Sequence, residues 1–574
     1  MRNKLIPVLV LLSAPMTAMS ASMPAYLNSN DVENALPQPN VPVDAYRPST
    51  PQVDISTPSQ NQLPLASLVY LRGVQIEGGT VYEFEDIAEQ FTGLVNRTVT
   101  LKDILAVTEA ITKRYQDDGY ALSYAYLPQQ NLLSGEVTVV LVEGYISQHE
   151  MLGEIGPVAD RVRAMAQPML RERPLTRATF DRYTSLMSQI PGVTLAASVA
   201  PPKTTDGAVT LVTEARRRAF DVTASIQKDK GDDVQVIASA ISNSQTSVGE
   251  QVAVTTLLPP GKDNERYVRL DYSQYLSNNG TRLQTYVSGY KSEPTDRLLR
   301  LQGNEALDYS SRKNNRVSIG VSHPFQISNQ QIVTGVARLY GVDDERKYDL
   351  LAAGNQPIVV KNAIKQTSKV RALALEGDWR QAQSKQMRVL SAGIYQGMNT
   401  LGAKSEISNF LGVKAKDNTD LDFTRVRLSG LQSNNYGDAW QGVVSGAAYW
   451  SADSLPESEQ VIFGDRNFAR GYPSDQAYGD KGWGAGYELG YSIKLDENWL
   501  RLVQPYAAVD AARSWYNLSE SGQTSNLSSA ALGVRIADKK FYNLGLEVAR
   551  PLGDKAIDSR DRGVRYGVTL SYSL

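Results

Sequence analysis

Apolar and polar residues alternate along most of the chain after residue 218. In "ALGVRIA", residues 531–537, Leu532, Val534 and Ile536 alternate with glycine and arginine. The same period of two recurs in "LGLEVA" and "YGVTLSYSL". One face of each run is apolar, whereas the other carries residues such as arginine or glutamate, which do not suit a dry core. Transmembrane β-strands have this pattern, with ~9–11 residues that face lipid and a wet lumen in turn.

About sixteen such runs can be counted, an even number that permits a closed antiparallel barrel with room for an aqueous channel. Closure is required because open strand edges in lipid leave backbone groups without hydrogen bonds. Alternation alone also fits a soluble protein with many strands. The predicted strands lie near Phe220, Val234, Glu250, Glu265, Thr281, Asn315, Gln331, Thr367, Gln386, Leu421, Trp440, Gly482, Trp499, Asn526, Phe541 and Arg565.

A helical period replaces the alternation in the N-terminal part of the chain. In "TLKDILAVTEAITKRYQDDGY", Thr100 is placed to cap a helix whose Leu101 and Ile104 share one face. Strand-like runs surround this helix, and the same order of elements then recurs. Residues 68–147 and 148–218 are therefore predicted to be two α+β modules, each in the order strand, helix, helix, strand, strand. Residues 219–574 then form the barrel.

The segment before the modules carries an export signal and a linker. "MRNKLIPVLVLLSAPMTAMSAS" has a basic start, an apolar core and small residues at its end, so residues 1–20 are predicted to be a signal peptide. Residues 21–67 are rich in Pro, Ser, Asn and Gln and are predicted to be a linker that does not order itself. Within it, "AYLNSNDVENAL" is the one piece that fits a short helix. The chain has no cysteine, which excludes disulfide bonds and thiolate chemistry.

Composition and the two histidines give no sign of catalysis. The 59 basic and 61 acidic residues leave a net charge of -2, which argues against a nucleic-acid binder. His149 and His323 belong to no pattern for a metal site or for the base of a nucleophile. A phosphate-binding glycine loop is also missing from the sequence. We therefore expect that the protein is not an enzyme and uses no cofactor or metal.

Three strings carry a family resemblance. They are "YQDDGYALSYAYLP" in the first module, "IPGVTLAASVAPPKTTDGAVTLVTE" in the second, and "VIFGDRNFARGYPSD" between two late strands. With the two modules and the barrel, they resemble the two-partner secretion transporters (TpsB family, haemolysin secretion/activation proteins of the ShlB/FhaC/HecB type) of the outer-membrane assembly factor superfamily. The first two strings resemble parts of polypeptide-transport-associated (POTRA) domains, although Pro202 replaces the usual glycine.

The third string is similar to the family's loop between barrel strands eleven and twelve. The resemblance implies that residues 451–481 fold back into the lumen, where Arg470 meets an aspartate of strand thirteen. Asp510 falls at that position in "WLRLVQPYAAVDAA", although Ala508 and Ala512 replace both flanking family residues. A carboxylate facing lipid is costly, so Asp510 should face the lumen. Arginine is suited to bind such a carboxylate through two parallel hydrogen bonds.

Residues on either side of Arg470 complete the predicted loop motif. The family tetrad Val-Arg-Gly-Tyr reads Ala469, Arg470, Gly471, Tyr472 here, so its first residue differs. Gly471 permits a tight turn beside the arginine. Phe468 and Tyr472 are expected to pack on neighbouring residues or on the guanidinium group.

The resemblance also implies a function and a location. Such a protein lies in the outer membrane with its POTRA domains in the periplasm, and exports a large β-helical exoprotein of the TpsA type. The modules would hold this unfolded partner along a strand edge or in a groove. We expect the edge to include Leu122, Tyr124 and Tyr126 of the first module, with Phe180 and Tyr183 of the second as groove residues. Outer-membrane lipids, the barrel assembly machinery and periplasmic chaperones are further expected partners.

Two other functions remain open from the sequence. An insertase that assembles other barrels belongs to the same superfamily, but such proteins usually carry three or more modules. A passive porin or surface receptor would leave the two modules without a role. The identity and activity of the exported partner are not encoded in any motif of this chain.

Overall fold

The computed structural model describes residues 52–55, 66–200, 202, 204–228, 234–258, 262–294, 298–300, 305–352, 358–517, 524–538 and 541–573. The predicted signal peptide and the candidate helix "AYLNSNDVENAL" lie outside these residues, and so does Leu574. Among the helices that are described, none has the length and apolar character needed to cross a membrane.

The first module packs two helices against two small sheets. Strand β1 (Gln52–Ile55) precedes it, and its own elements are β2 (Leu68–Leu71), β3 (Gly73–Glu77), α1 (Phe84–Glu89), β4 (Arg97–Thr100), α2 (Leu101–Asp117), β5 (Tyr124–Tyr126) and β6 (Glu136–Val142). One sheet has the order β3-β6-β5, and the other pairs β2 with β4. The run "LVYLRGVQI", which the sequence predicts as one strand, is divided between β2 and β3, and β4 was not predicted.

The start of α2 explains why β4 is hard to recognise from sequence. The Thr100 hydroxyl accepts a hydrogen bond from the Asp103 N–H at 3.2 Å, and the Asp103 carboxylate accepts one from the Thr100 N–H at 2.8 Å. This capping box begins the helix directly after the strand. The cap signal and the four-residue strand therefore overlap in sequence.

The second module follows the predicted order of strand, helix, helix, strand, strand, and unlike the first module it has no strand among the described residues between its helices. It consists of β7 (Tyr145–Leu152), α3 (Ala159–Arg171), α4 (Arg177–Ser188), β8 (Val193–Val199) and β9 (Ala208–Arg217). Its sheet has the order β1-β8-β9-β7, in which β1 runs parallel to β8. The prediction that the whole linker does not order itself is therefore wrong for residues 52–55. The reason is tertiary, because the edge of β8 offers backbone groups that an extended segment can pair with.

Sixteen long strands form a closed antiparallel barrel, as the sequence predicts. They are β10 (Phe220–Lys228), β11 (Gln235–Asn243), β12 (Gln251–Leu258), β13 (Arg266–Tyr275), β14 (Arg282–Ser292), β16 (Glu305–Ile327), β17 (Gln331–Ala352), β18 (Ile358–Ala382), β19 (Gln386–Gly397), β22 (Thr424–Tyr436), β23 (Trp440–Ser451), β26 (Lys481–Tyr491), β28 (Leu502–Trp515), β29 (Thr524–Ala537), β30 (Tyr542–Pro551) and β31 (Arg565–Ser573). Closure is made by β10 and β31, with Thr223 opposite Ser573. The short strands β15 (Leu298–Arg300), β20 (Lys404–Asn409), β21 (Lys414–Lys416) and β27 (Ile493–Lys494) extend this sheet.

Strands β16, β17 and β18 are longer than the sequence predicts, with 23, 22 and 25 residues. Their additional residues carry paired charges where the apolar face would otherwise continue. Lys365 of β18, for example, contacts Glu345 of β17 at 2.8 Å. The apolar alternation ends there although the strand pairing does not.

The two ends of the barrel differ in what they contact. At one end, which we call the near end, the second module touches the turn between β13 and β14. The Tyr183 hydroxyl donates a hydrogen bond to the Asn279 side chain at 3.0 Å, and Arg161 donates to the Asn278 side chain at 2.9 Å. The opposite end is called the far end.

Glu143 joins three elements of the first module just before the second one begins. Its carboxylate accepts hydrogen bonds from the N–H groups of Thr80 and Val81 at 2.7 and 2.9 Å and from the Tyr115 hydroxyl at 3.0 Å. Burial by itself would raise the pKa of Glu143, but these bonds together with one from the Thr80 hydroxyl lower it below its usual 4.5. The interaction therefore stabilises the fold at neutral pH and is lost as the pH falls through the folded pKa.

We expect Glu143→Gln to weaken this junction. At neutral pH the amides of Thr80 and Val81 should exchange faster in the variant than in the wild type, because they lose a charged acceptor. Hydrogen exchange of the full chain in detergent measures this. Glu136→Gln, at an exposed position of β6, is the matched control and should leave these amides unchanged. Equal protection in Glu143→Gln and wild type would show that the carboxylate does not hold the turn.

Candidate functional site: a loop tethered inside the barrel

The segment between β23 and β26 is folded back against the inner wall of the barrel. It contains a small antiparallel pair, β24 (Val461–Phe463) and β25 (Ala477–Gly479), and its tip lies between them. Residues of the tip are almost completely buried, with Ala469 at 0% and Phe468 at 3% exposure. The loop thus forms a packed body that meets inward-facing residues of the wall.

Arg470 at the tip binds carboxylates from three strands. Its two terminal nitrogens donate to Glu547 of β30 and to Glu488 of β26, each at 2.9 Å. Its Nε lies 3.8 Å from Asp510 of β28, and its backbone N–H donates to the same carboxylate at 3.3 Å. The arginine therefore connects the tip of the loop to strands twelve, thirteen and fifteen.

This geometry differs from the predicted two-bond pair with Asp510. Asp510 does face the lumen beside Arg470, but the shorter contacts of the guanidinium go to Glu488 and Glu547, which the sequence analysis did not select. Asp510 also accepts a hydrogen bond from the Ser529 hydroxyl. Glu488 and Glu547 both occupy lumen-facing positions of their strands. Their alternation with apolar, outward-facing residues was the signal available in the sequence.

A second arginine completes the cluster. Arg535 of β29 donates to both oxygens of Glu488 at 2.7 and 2.9 Å, and its guanidinium lies 4.0 Å from the ring centroid of Tyr506. The Tyr506 hydroxyl in turn donates to Glu547 at 2.8 Å. When the tip is docked, two arginines thus stand among three carboxylates. When Arg470 leaves, Arg535 is the remaining arginine of the cluster, so docking of Arg470 reduces the excess of negative charge.

The residues next to Arg470 in the chain pack closely against the wall of the barrel. A Cβ at Gly471 would lie 2.5 Å from the backbone nitrogen of Pro551, so a larger residue is excluded by β30 itself. Phe468 packs over Gly484 of β26, where a Cβ would lie 2.3 Å from the phenyl ring. The Tyr472 hydroxyl donates to the backbone oxygen of Asp554 at 2.9 Å. Close packing, more than a tight turn, is therefore what Gly471 provides.

A second anchor, which the sequence analysis missed, holds the entry of the loop. Glu459 has 0% exposure, and it contacts Arg316 of β16 at 3.3 Å and Arg425 of β22 at 3.1 Å. The Tyr340 hydroxyl of β17 donates to it at 2.9 Å. In sequence, Glu459 looks like an ordinary residue of a polar loop, so nothing marked it.

The two anchors lie on different parts of the wall. Glu459 reaches strands six, seven and ten of the barrel, whereas Arg470 reaches strands twelve, thirteen and fifteen. Strands six and fifteen are seven positions apart in the closed sixteen-strand barrel, close to the eight that separate opposite sides, so the loop bridges the lumen.

Comparisons with known proteins agree with this architecture. Residues 361–536, which contain both Glu459 and Arg470, match the family of haemolysin secretion/activation proteins ShlB/FhaC/HecB, and residues 69–144 match the POTRA domain, ShlB-type. Both matches are to models of two-partner secretion proteins, so the chain is similar to the TpsB family of transporters. Members of this family are outer-membrane β-barrel transporters with POTRA domains.

Similar proteins cover most of the length of this chain. The heme/hemopexin transporter protein HuxB of Haemophilus influenzae (strain 86-028NP) is 21% identical over 500 residues, which cover 83% of this chain and 82% of HuxB. Among solved structures, CdiB from Escherichia coli has a TM-score of 0.64 at 16% identity and covers 90% of this chain and 93% of its own. CdiB from Acinetobacter baumannii has a TM-score of 0.57 at 14% identity, with 92% and 95% covered. These structures share the fold.

The residues expected to bind the partner occupy different environments in the structure. Leu122 and Phe180 are 5% and 1% exposed and belong to the core around the second module, so the expectation that their side chains face a partner needs correction. Tyr124 and Tyr126 are half-buried with ring centroids 6.0 Å apart. Tyr183 contacts the barrel, as described above.

The expected strand edge at β5 is capped by a side chain. The Ala125 N–H donates to the Thr112 hydroxyl at 3.0 Å, and this hydroxyl lies 3.3 Å from the Ala125 oxygen. Thr112 is part of α2, which therefore covers the edge. A partner strand would have to displace the helix to pair there.

Both histidines contact threonines. His149 Nε2 lies 2.9 Å from the Thr213 hydroxyl, and His323 Nδ1 lies 2.9 Å from the Thr281 hydroxyl. In the part of the chain that the structure describes, no group of three or more His, Cys, Asp or Glu residues is arranged to hold a metal ion.

Proposed function

We propose that this protein exports an unfolded partner exoprotein of the TpsA type from the periplasm to the cell surface through its barrel. The observation that carries the proposal is the loop bridging the lumen, held at Arg470 and Glu459 by charges on the wall. A loop anchored on two parts of the wall by releasable charges suits a transporter, which must close its lumen when no partner is present, whereas a passive porin stays open. The membrane location, with the modules in the periplasm, is part of this proposal.

The chemistry of the anchors suits a reversible closure. Both are ion pairs, and the lumen of an open barrel supplies water to any charge that is released. A dry apolar plug would instead expose hydrophobic surface each time it moved. We infer that a partner chain entering from the near end competes with the loop for the polar wall.

We further propose that the second module is also a POTRA domain and that it receives the partner at the edge of β8. Support comes from β1, which pairs along this edge in parallel, with Gln52 opposite Ala196 and Ile55 opposite Val199. The edge therefore accepts an extended segment. In this proposal the segment 52–55 occupies the site at rest and gives way to an extended segment of the partner.

Replacing residues 52–55 by a Gly/Ser stretch of equal length is expected to uncover β8. The amides of β8 that face β1 should then lose at least roughly tenfold of their hydrogen-exchange protection, because each loses a backbone acceptor. The amides of β9, which stay paired with β8, serve as the internal control. Unchanged protection along β8 would show that β1 does not occupy this edge in solution.

The proposed export is tested by comparing the secreted proteins of source cells with and without this chain. We expect one very large repeat-rich protein to disappear from the surface and the medium. Loss of many unrelated outer-membrane barrels would instead support the insertase. An unchanged set of secreted proteins, together with a large and permanently open conductance of the purified barrel, would support a porin.

A further inference from the structure

Three cations face outward at the far end of neighbouring strands. Lys481 is the first residue of β26, Arg513 lies two residues before the end of β28, and Arg550 is the penultimate residue of β30. Burial alternates along these strands so that Arg513 and Arg550 point away from the lumen. Across the described residues, none of the three forms an ion pair with a carboxylate.

Two outward cations of β14 and β18 are arranged differently. Arg371 of β18 contacts Asp343 at 2.8 Å, and Lys291 of β14 contacts Glu293 at 2.9 Å. On that side of the barrel the wall supplies its own counter-charges. The outward cations of β26, β28 and β30 are therefore placed to bind anions from outside the protein.

Exposed tryptophans place these cations at the level of lipid head groups. Arg513 and Lys481 lie 5.9 Å from the ring centroids of Trp515 and Trp450, respectively. Trp450 and Trp483 are 51% and 43% exposed. Tryptophan is enriched where the apolar part of a membrane meets its polar head groups, so the cations stand at this boundary.

An apolar groove of about 560 Å³ on the outer wall adjoins Arg550. Small side chains on three adjacent strands form a depression in the outer surface of the wall there. The lining includes Ala507, Val509, Ala530, Leu532 and Val548, and Arg550 is the one charged residue that lines it. An apolar groove with a cation at its rim matches a lipid, with an acyl chain along the wall and an anionic group beside the arginine.

The spacing of the arginines favours a lipid with more than one anionic group. On the intervening strand β29, Arg513 is opposite Asn526 and Arg550 is opposite Ala530. Four residues of extended strand span roughly 13 Å, and the two strand spacings from β28 to β30 add roughly 10 Å across the sheet, so the two backbone positions lie roughly 16 Å apart. Two guanidinium groups at this separation are better matched by two phosphates than by one.

We infer that this wall, which we call the β26–β30 face, binds a bisphosphorylated glycolipid of the lipid A type. One acyl chain occupies the groove, and the two phosphates contact Arg550 and Arg513, with Lys481 adding charge at the edge. Bidentate contacts between arginine and phosphate are strong and specific. The inference rests on the proposed orientation, in which the far end faces the outer leaflet, and it does not depend on export.

The test is lipid titration of the purified full chain in detergent, monitored by native mass spectrometry. The probes are bisphosphorylated lipid A, its monophosphorylated form and phosphatidylglycerol. We expect the bisphosphorylated lipid to bind most tightly to the wild type. Each cation near a charged lipid contributes roughly fivefold, so Arg513→Gln/Arg550→Gln should weaken this binding roughly 25-fold and remove the preference for the second phosphate.

Two further variants separate the groove from the charges. Ala530→Phe fills the groove from outside and should weaken lipid A binding with both arginines intact. Arg371→Gln removes an outward arginine that already has a carboxylate partner, and it should bind like the wild type. All variants are first checked for the gel mobility of the folded, unheated barrel.

Several results would overturn the inference. Equal binding of lipid A by the double variant and the wild type would show that the two arginines do not bind the lipid. If Arg371→Gln weakened binding as much as a substitution of Arg513 or Arg550, the effect would depend on total charge alone. Displacement of lipid A by excess inorganic phosphate would show that the groove does not contribute to recognition. Equal binding of phosphatidylglycerol would show that the second phosphate does not contribute. Each result is independent of whether any partner is exported.

Discussion

Replacing Arg470 with alanine is expected to lower export of the partner by roughly tenfold or more, while the barrel still folds and inserts. The side chains of Arg470 and Glu488 are 23% and 10% exposed, so the cluster is closer to a buried ion pair than to a surface pair. Removing one member of such a pair costs about 3 kcal/mol. That change shifts the docked loop roughly a hundredfold toward release.

The physical reason lies in the carboxylates that Arg470 leaves behind. Glu488, Glu547 and Asp510 would face one another with Arg535 as their remaining arginine. Their repulsion disfavours the docked tip, and the lumen loses its ordered resting state. Export is measured as the amount of partner at the surface, normalised to the amount of folded barrel in the membrane.

Arg338→Ala is the matched control for this experiment. Arg338 also lies on the wall of the barrel and pairs with Glu376 at 3.0 Å, but this pair holds two strands together and does not touch the loop. We expect its export to match the wild type. Normal export by a correctly inserted Arg470→Ala barrel would remove the tethered tip from the mechanism.

Replacing Glu459 with glutamine is expected to open the lumen. The change preserves the shape of the side chain but removes the charge shared by Arg316 and Arg425, whose side chains are 4% and 7% exposed. Two cations at such low exposure without this carboxylate repel each other and draw water toward them. The entry of the loop should then leave the wall.

Two measurements report this release. In planar bilayers the Glu459→Gln barrel should spend at least roughly ten times longer in conducting states than the wild type, as expected for the loss of more than about 1.4 kcal/mol of docking energy. Hydrogen exchange along β24 should accelerate by a similar factor. The tip at Arg470 should stay bound, so export should fall less than in Arg470→Ala.

Glu376→Gln provides a closely matched control. Glu376 accepts a hydrogen bond from the Tyr395 hydroxyl at 2.7 Å and pairs with Arg338, a tyrosine and arginine environment like that of Glu459, but within the wall. Its conductance should equal that of the wild type. Equal opening by Glu376→Gln, or wild-type exchange along β24 in Glu459→Gln, would contradict a second anchor.

The combination of both substitutions tests whether the anchors act independently. Residues that share no partners usually have additive effects, and Glu459 and Arg470 contact different strands. We therefore expect the double variant to conduct as though both free-energy changes were summed. A double variant no more open than Arg470→Ala would mean that the tip alone controls the loop.

Local patterns in the sequence determined the architecture. Alternation of period two marks each membrane strand because one face meets lipid and the other meets water, and neither requirement depends on distant residues. The helical period and the capping box at Thr100 mark the modules in the same way. The alternation along β28 also predicted that Asp510 and Tyr506 face the lumen. Val509, on the outward face of the same strand, is 56% exposed.

Only the tertiary structure decided which charges meet. The register between β26, β28 and β30 brings Glu488 and Glu547 to Arg470, and this register follows from closure of the barrel, which no local stretch encodes. Glu459 gains its role because β16, β17 and β22 surround it. The pairing of β1 with β8 and the burial of Leu122 and Phe180 likewise depend on contacts between segments far apart in the chain. Sequence fixes which face a side chain takes, whereas closure and packing choose its neighbours.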